Sequence, residues 1–445
     1  YEIAVRYLRE ASDIGFPPGF EAEGSYRFGD ALFHIERYAE SIPHLQTALK
    51  LKHPAVADIH QMLATAYFLD NTPDLNAALR HNQQLLSLKN LTDETLENAL
   101  LQQAEIAFRL DDATLLANAL DQLPPASKSS PISLTAKLLR ARALFRESQR
   151  SPLPSEAAAQ RAQARTLLQE VLESSKSQRS FQAEACFFLG KIDFAEQKLD
   201  SALSLVSRSR RLASGSSLVI AATLEEGDIH LARAGNPTRV PESVLAYRRV
   251  LKSLDPQTPF VNPWVTPDEI IERAVAAIES LLADREYAAA LDLNAALSLA
   301  TDSPEALRLT GRIEMEWGRA LMGDAPLKGE LRASRRELAR VHLLRAAQAH
   351  QALAERSLAT GDYAPLMHQA ALLYEEGGDF ESARKALVRT LDVQGRNDRP
   401  ETLVMLGKVL LDLDRLDEAV SALAECYLAH RRNPVSYRAR LLASQ

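Results

Sequence analysis

The C-terminal part of the chain repeats a pattern of small and apolar residues every 34 residues. Residues 364–397 and residues 400–433 follow the same plan, in which such positions recur three or four apart, as on one face of an α-helix. They are Ala371, Tyr374, Phe380, Ala383, Leu387 and Thr390 in the first copy, and Leu406, Gly407, Leu410, Leu416, Ala419, Leu423 and Cys426 in the second. A fixed period of this length predicts a fold made of stacked units.

Each unit is expected to be a pair of helices, here called helix A and helix B. Gly407 and Ala419 are small where the two helices of the last unit would cross, and Leu410 and Leu416 would fill the space around that crossing. One pair cannot bury its apolar faces alone, so neighbouring pairs must stack. The same frame returns clearly at residues 22–55 and 183–216. Six weaker copies bring the total to about ten units, at residues 57–88, 94–123, 132–175, 218–254, 267–300 and 304–357.

The repeated pattern resembles the tetratricopeptide repeat (TPR). The resemblance implies an all-α fold, namely a right-handed superhelical solenoid of antiparallel helix pairs. Composition independently favours helices, because aromatic residues make up only 6% of the 445 residues and Ala and Leu dominate.

Prolines suggest how the repeats are grouped. Pro256, Pro259, Pro263 and Pro267 prevent an uninterrupted helix between the sixth and seventh units. We therefore predict three parts. The middle part is a linker that would act either as a hinge or as a loop folded over a binding groove. The three parts are an N-terminal array at 1–255 with a leading helix and about six units, a Pro-rich linker at 256–266, and a C-terminal array at 267–445 with about four units and a closing helix. Insertions are expected at 148–155 and 323–330, the second before a long helix at about 331–357.

A search for catalytic chemistry finds no convincing motif. There is no phosphate-binding glycine loop, no metalloprotease HExxH and no nucleophile GxSxG. Cys186 and Cys426 fall at positions where small apolar residues pack, and His342 and His350 share a helix face without a carboxylate or cysteine at ligand spacing. We expect no catalytic residue, no metal site and no cofactor, and hence no enzyme. No apolar run approaches the ~20 residues that span a membrane.

One stretch is basic in a chain whose net charge is -7. Residues 126–180 contain ten Lys and Arg against four Glu. Arg140, Arg142 and Arg146 mark this candidate patch, which is either a solvated helix face or a surface for an acidic protein partner. Stacking aromatic residues are sparse there, which argues against nucleic acid.

The most specific binding candidate is a row of phenylalanines. Each stands four residues after the small residue of a helix A, so the row should follow one side of the array; its members are Phe33, Phe68, Phe108, Phe145 and Phe194. By resemblance to TPR proteins, A helices line a concave groove that receives a peptide, and further groove candidates are Tyr26, Arg27, Phe187, Phe188 and Lys191. The alternative is that these rings pack between adjacent units.

These observations predict a non-catalytic scaffold or adaptor that binds a protein or peptide partner. The alternatives are a peptide-sensing regulator, a membrane-tethered cell-envelope assembly factor and an RNA-binding helical repeat; self-association is left open. The chain starts at Tyr1 rather than Met, so we expect a fragment or a processed form. Its compartment is undetermined, either cytoplasmic or facing the cell envelope if an anchor precedes Tyr1.

Overall fold

The computed structural model describes residues 1–70, 72–124, 130–255, 258, 260–323, 330–358 and 361–444. Across these residues the chain forms 22 α-helices and one short 3-10 helix, with no strand, so the all-α prediction is confirmed. It divides into two compact units, Tyr1–Ala222 and Thr223–Gln445.

The first unit contains a leading helix followed by five helix pairs. The helices are α1 Glu2–Ile14, α2 Glu21–His34, α3 Tyr38–Lys50, α4 Val56–Leu69, α5 Leu75–Leu86, α6 Asp93–Leu110, α7 Ala113–Asp121, α8 Pro131–Arg150, α9 Pro154–Ser174, α10 Arg179–Ala195 and α11 Leu199–Leu212. The next helix, α12 Leu218–Ala232, begins in the first unit and ends in the second.

The second unit continues the same alternation and ends with a single helix. Its helices are α13 Arg239–Leu251, α14 Pro267–Ala283, α15 Tyr287–Ala300, α16 Pro304–Gly323, α17 Glu330–Arg356, α18 Tyr363–Glu376, α19 Phe380–Val393, α20 Arg399–Asp412, α21 Leu416–Ala429 and α22 Val435–Ala443. The 3-10 helix Arg396–Asp398 precedes α20. With α12 and α13 as a pair, the described part of the chain holds ten pairs, in agreement with the predicted number of units.

A shared turn geometry joins helix A to helix B in six of these pairs. One residue takes a left-handed backbone conformation, and the next donates its N–H to a carbonyl five residues earlier, as Asp112 does to Ala107 and Arg415 to Leu410, both at 2.9 Å. This is the Schellman C-cap, which pairs carbonyls that a helix end otherwise leaves unbonded. The left-handed residues are Glu36, Asp111, Gln197, Arg285, Gly378 and Asp414.

Small residues let the two helices of a pair approach closely, as the sequence predicts. A Cβ atom added to Gly407 would lie 2.5 Å from Cγ and Cδ2 of Leu423, which is fully buried in α21. At Gly29 the nearest atom would be Cγ of Leu45, at 2.7 Å. Such distances are far inside van der Waals contact, so these crossings have no room for a side chain.

Replacing Gly407 with alanine is therefore expected to destabilise the protein. The strain of overpacking, about 1–3 kcal/mol, outweighs the helix-propensity gain of about 1 kcal/mol. Urea unfolding measures the difference. Gly323→Ala is the matched control, because no atom of the described residues lies within 4 Å of the position of its added Cβ atom. If both variants were as stable as the parent protein, the crossing would not be close-packed.

The predicted linker lies inside the second compact unit. Residues 256, 257 and 259 are outside the described residues, as are residues 324–329 of the second predicted insertion. Helices α13 and α14, on either side of the linker, pack against each other. The division into compact units falls earlier in the sequence, within α12. The three-part organisation drawn from the prolines stays a prediction.

Candidate functional site

The phenylalanine row occupies the first helix of each pair in the first unit. Phe68 and Phe145 are buried, with 8% and 4% of their surface exposed, and the other three rings are partly buried. Phe68 packs on Ala78 and Ile106, the latter from the next pair. Phe68 therefore fills space between adjacent pairs, and contact of the row with a partner stays a prediction.

The other predicted groove residues lie near the row. Tyr26 is partly buried and stacks on His53, with ring centroids 4.4 Å apart, while Arg27 is exposed and pairs with Glu23 at 2.7 Å. In α10, Phe187 is buried and Phe188 is partly buried. The ammonium group of Lys191 lies 5.4 Å from the Phe187 ring centroid and 6.0 Å from that of Phe145.

Arginines from the following helix pair cover two rings of the row. The guanidinium carbon of Arg109 lies 3.9 Å from the centroid of Phe68, and that of Arg146 lies 4.0 Å from the centroid of Phe108. The same arginines donate to main-chain carbonyls near the end of the preceding A helix, Arg109 to Phe68 at 3.4 Å and Arg146 to Phe108 at 2.8 Å. A partner that contacts the rings of Phe68 and Phe108 must therefore also contact the guanidinium groups of Arg109 and Arg146.

The predicted basic patch is paired with carboxylates from neighbouring helices. Arg140 lies 2.5 Å from Asp121, and Arg146 lies 3.2 Å from Asp111. Arg142 sits between Glu105 and Glu184, at 3.5 Å and 3.7 Å. All four acidic partners lie outside residues 126–180, so the positive charge of that stretch is balanced in the fold. A role for the patch in partner binding stays a prediction.

Glu184 is the most perturbed acid of this region. Burial of its carboxyl group between helices raises its pKa to about 7, even though Arg142 acts in the opposite direction, and Glu105 raises it further. Its side chain is 16% exposed. A carboxyl group with such a pKa changes charge near neutral pH, which makes this face of the first unit sensitive to pH.

The second unit contains a groove along α18, α20 and α22, which we call the C-terminal groove. It consists of two adjoining cavities of about 590 Å³ and about 420 Å³ that share His368 and Glu401. The second cavity extends along the A helices to Val435 and Arg438 of α22. Most lining side chains come from the first helix of a pair, whereas the groove residues predicted from the sequence belong to first helices of the N-terminal array.

Apolar side chains held by the core line part of the second cavity. Val404 and Met405 are buried in the packing of α20, with 4% and 7% of their surface exposed. Leu372 of α18 is partly buried and packs against the same core as Met405. Because the core fixes these side chains, the groove is formed before any ligand arrives.

Charges differ between the two ends of the groove. Glu375 pairs with Lys408, and Glu376 accepts two hydrogen bonds from Arg319 at 2.8 Å and 3.1 Å. The carboxylates of Asp398 and Glu401 and the guanidinium of Arg438 have no hydrogen bond or ion pair with any described residue.

The sequence analysis missed this groove, although the repeat itself carries a signal for it. Several lining residues stand 34 positions apart, such as His368 and Thr402, or Val404 and Arg438. Residues one period apart occupy equivalent places in successive units, so they lie side by side. The period therefore predicted that these A-helix positions lie on one face of the second unit.

A buried polar pair also escaped the sequence analysis. His342 of α17 meets Glu314 of α16, with 2.5 Å between Nδ1 and Oε2, and Trp317 stacks on the imidazole. Among the described residues there is no group of three or more His, Cys, Asp or Glu that could hold a metal ion. Both cysteines are buried, which raises the pKa of each thiol and disfavours the reactive thiolate.

The succession of antiparallel helix pairs defines an all-helical repeat protein. Residues 400–429, which span α20 and α21, match the family model of the tetratricopeptide repeat. This match, to one of the ten helix pairs, confirms the resemblance to the tetratricopeptide repeat that the 34-residue frame predicted.

Two solved structures are similar in fold. One is the crystal structure of yeast Tom70, with 14% identity, a TM-score of 0.28 and 95% of each chain covered. The other is a human IFIT1 dimer with m7Gppp-AAAA, with 16% identity, a TM-score of 0.38, and 100% of this chain and 86% of that chain covered. At these values the likeness is limited to the helical fold. No curated protein is significantly similar in sequence.

The class of protein carries a general expectation of function. Proteins with this fold are generally protein-interaction scaffolds and typically non-catalytic. No helix in the described ranges combines the length and the apolar character needed to cross a lipid bilayer.

Proposed function

We propose that the chain is a non-catalytic scaffold that binds a segment of a partner protein in the C-terminal groove. The observation that carries the proposal is the pair of adjoining cavities between α18, α20 and α22, with buried apolar side chains in their lining. An apolar side chain of the partner would lie against Leu372, Val404 and Met405, and hydrogen bonds at the charged edges would orient the segment. The phenylalanine row and the Arg140, Arg142 and Arg146 patch are a second proposed contact surface.

Selection of binders from a phage-displayed library of random peptides, against the full chain, tests the proposal. A photo-cross-linking amino acid at position 368, which lines both cavities, should capture the selected peptides. The same amino acid at position 420, exposed on α21, is the control and should capture none. Capture only at position 420, or selection of no peptide at all, would refute the proposed groove.

Substitution of the groove lining gives a second readout. Leu372→Glu is expected to weaken the selected peptides about tenfold or more, because an apolar contact is replaced by a charge that must be desolvated. Val420→Glu, an equivalent change on an exposed B-helix position, should leave the affinity unchanged. Circular dichroism verifies that both variants are folded. If Leu372→Glu unfolds, the cross-link at position 368 alone tests whether peptides bind in the groove.

A further inference from the structure

We infer that helix α22 of one copy of the chain packs on helix α1 of a second copy, so that these two single helices form a pair between molecules. The inference goes beyond the proposed function, because it concerns a different face of α22. Val435 and Arg438 line the C-terminal groove, whereas Tyr437 and Leu441 form the proposed contact with the second copy.

The first argument is that α22 exposes residues that a complete pair buries. Residues one period apart occupy equivalent places in successive units. Tyr437 stands 34 positions after Leu403 of α20, which is buried in a cluster with Leu423 of α21. Leu441 stands 34 positions after Gly407, which lies against the same leucine. No described helix B follows α22, and its Tyr437 and Leu441 are 68% and 63% exposed.

The second argument is that α1 exposes the complementary face of a pair. Tyr7 stands 34 positions before Ser41 of α3, and Ile14 stands 34 positions before Ala48. Ser41 and Ala48 are fully buried, and Leu45 between them packs on α2. In α1, Tyr7 and Ile14 are 64% and 87% exposed. Helix α1 packs on α2 with its other side, as a helix B packs on the next helix A. It is therefore a helix B without a described helix A.

The third argument is that both helices present apolar side chains to water. The terminal units of helical repeats normally have a polar outer face, which keeps them soluble. Here Tyr437 and Leu441 are four positions apart on α22, and Ile3, Tyr7 and Ile14 share one face of α1. Exposed apolar stripes of this kind indicate a contact surface. Each helix has the type that the other lacks, so a second copy of the chain fits both.

Charges favour the same arrangement. Residues 431–445 contain four arginines and no Asp or Glu, and Arg431 and Arg432 lie just before α22. Residues 10–26, from the end of α1 onward, contain four Asp and Glu and no Lys or Arg. Because the helices of a pair are antiparallel, the start of α22 would lie beside the end of α1, near Asp13. Two α22 helices would instead bring like charges together, which disfavours a symmetric contact.

The contact should be weaker than a pair within the chain. Gly407 has no side chain and lets α21 approach α20 closely, whereas Leu441 at the equivalent place holds a partner helix farther away. One helix from each copy also buries a small area. Association should therefore increase as the protein concentration rises.

Sedimentation equilibrium of the full chain over a wide range of concentration tests the inference. The average mass of the parent protein should rise from that of one chain to that of two and more, because each copy offers one α1 and one α22. Tyr437→Glu/Leu441→Glu and Tyr7→Glu/Ile14→Glu should each lower the association constant about tenfold or more, because each places charges in an apolar contact. A parent protein with the mass of one chain at every concentration would overturn the inference.

An equimolar mixture of the two variants separates this contact from a symmetric one. Tyr437→Glu/Leu441→Glu keeps an unchanged α1, and Tyr7→Glu/Ile14→Glu keeps an unchanged α22. The mixture should therefore form dimers with one copy of each variant and nothing larger. If either variant alone associates as strongly as the parent protein, the contact does not join α22 to α1 and the inference is wrong.

A control variant and a cross-link complete the test. Leu299→Glu/Val420→Glu changes two exposed apolar residues of α15 and α21 and should associate as the parent protein does. A photo-cross-linking amino acid at position 441 keeps the test decisive if a charged variant unfolds. It should join two copies through residues 2–14 of the second copy. Links to residues 435–443 of the second copy instead would show a symmetric contact and contradict the inference.

Discussion

Glu184→Gln is expected to stabilise the protein at pH 8 by about 3 kcal/mol. The carboxyl group of Glu184 has a pKa of about 7 in the fold, against an ordinary value of 4.5. The fold therefore favours the protonated, neutral form of this side chain. Glutamine has nearly the same shape and is neutral at every pH, so it avoids the cost of burying a charge.

The sign of the pH dependence follows from the direction of this shift. Because the pKa is raised on folding, the protonated carboxyl contributes stability that is fully present below about pH 4.5 and is lost as the pH rises through about 7. In the Glu184→Gln variant this contribution to the pH dependence of the free energy of unfolding disappears. The two proteins should therefore differ little at pH 5 and most at pH 8.

Urea unfolding at pH 5 and pH 8 measures the effect. Glu170→Gln is the control, since Glu170 is 47% exposed and pairs with Lys137 on the surface, and exposed pairs contribute little. A loss of stability in Glu184→Gln at pH 8 would mean that attraction to Arg142 outweighs the cost of burial. The argument from desolvation would then be wrong.

The fold was predictable because its determinants are close in sequence and recur. Gly407 and Leu423 belong to one helix pair, and a similar small and large pair returns at Gly29 and Leu45, so a single pattern specifies pairing and stacking together. The turns inside the pairs carried less signal. Gln197 adopts the left-handed conformation that usually favours glycine, and nothing in its residue type indicated it.

The environment of the predicted site residues could not be derived in the same way. The position of Phe108 in helix A follows from the period, but Arg146, which covers it, lies 38 residues further along in another pair. The basic stretch was counted over residues 126–180, whereas the carboxylate partners of Arg140 and Arg142 stand before and after that window. Charge balance in a stacked array depends on neighbours one period away, which counting along the chain does not reveal.

The second large effect is expected for Arg273→Ala, at a loss of about 3–5 kcal/mol. Arg273 of α14 donates to Glu225 at 3.0 Å and to Asp228, both in α12. Tyr247 of α13 also donates to Asp228. Only 5% of the Glu225 side chain is exposed, so removal of the arginine leaves a buried carboxylate without its counter-charge. Burial already raises the pKa of Asp228 while Arg273 lowers it, so the variant should recover stability as the pH falls.

A surface arginine provides the control for this prediction. Arg312 of α16 is 47% exposed and pairs with Glu279 and Glu316. Its replacement by alanine should cost less than about 1 kcal/mol. Thermal and urea unfolding of both variants measure the difference, and an equal, small loss in the two would show that the network around Arg273 is solvated.

The triple variant Arg273→Met/Glu225→Gln/Asp228→Asn separates charge from packing. It removes the counter-charge and both carboxylates together, so no buried charge is left unpaired, and most of the stability should return.

The network connects α12 and α13 to α14, across the proline-rich residues 256–266. A hinge at that linker would require these contacts to break. If Arg273→Ala alone makes residues 256–266 more sensitive to proteolysis and the triple variant does not, the charge network holds the helices on both sides of the linker together.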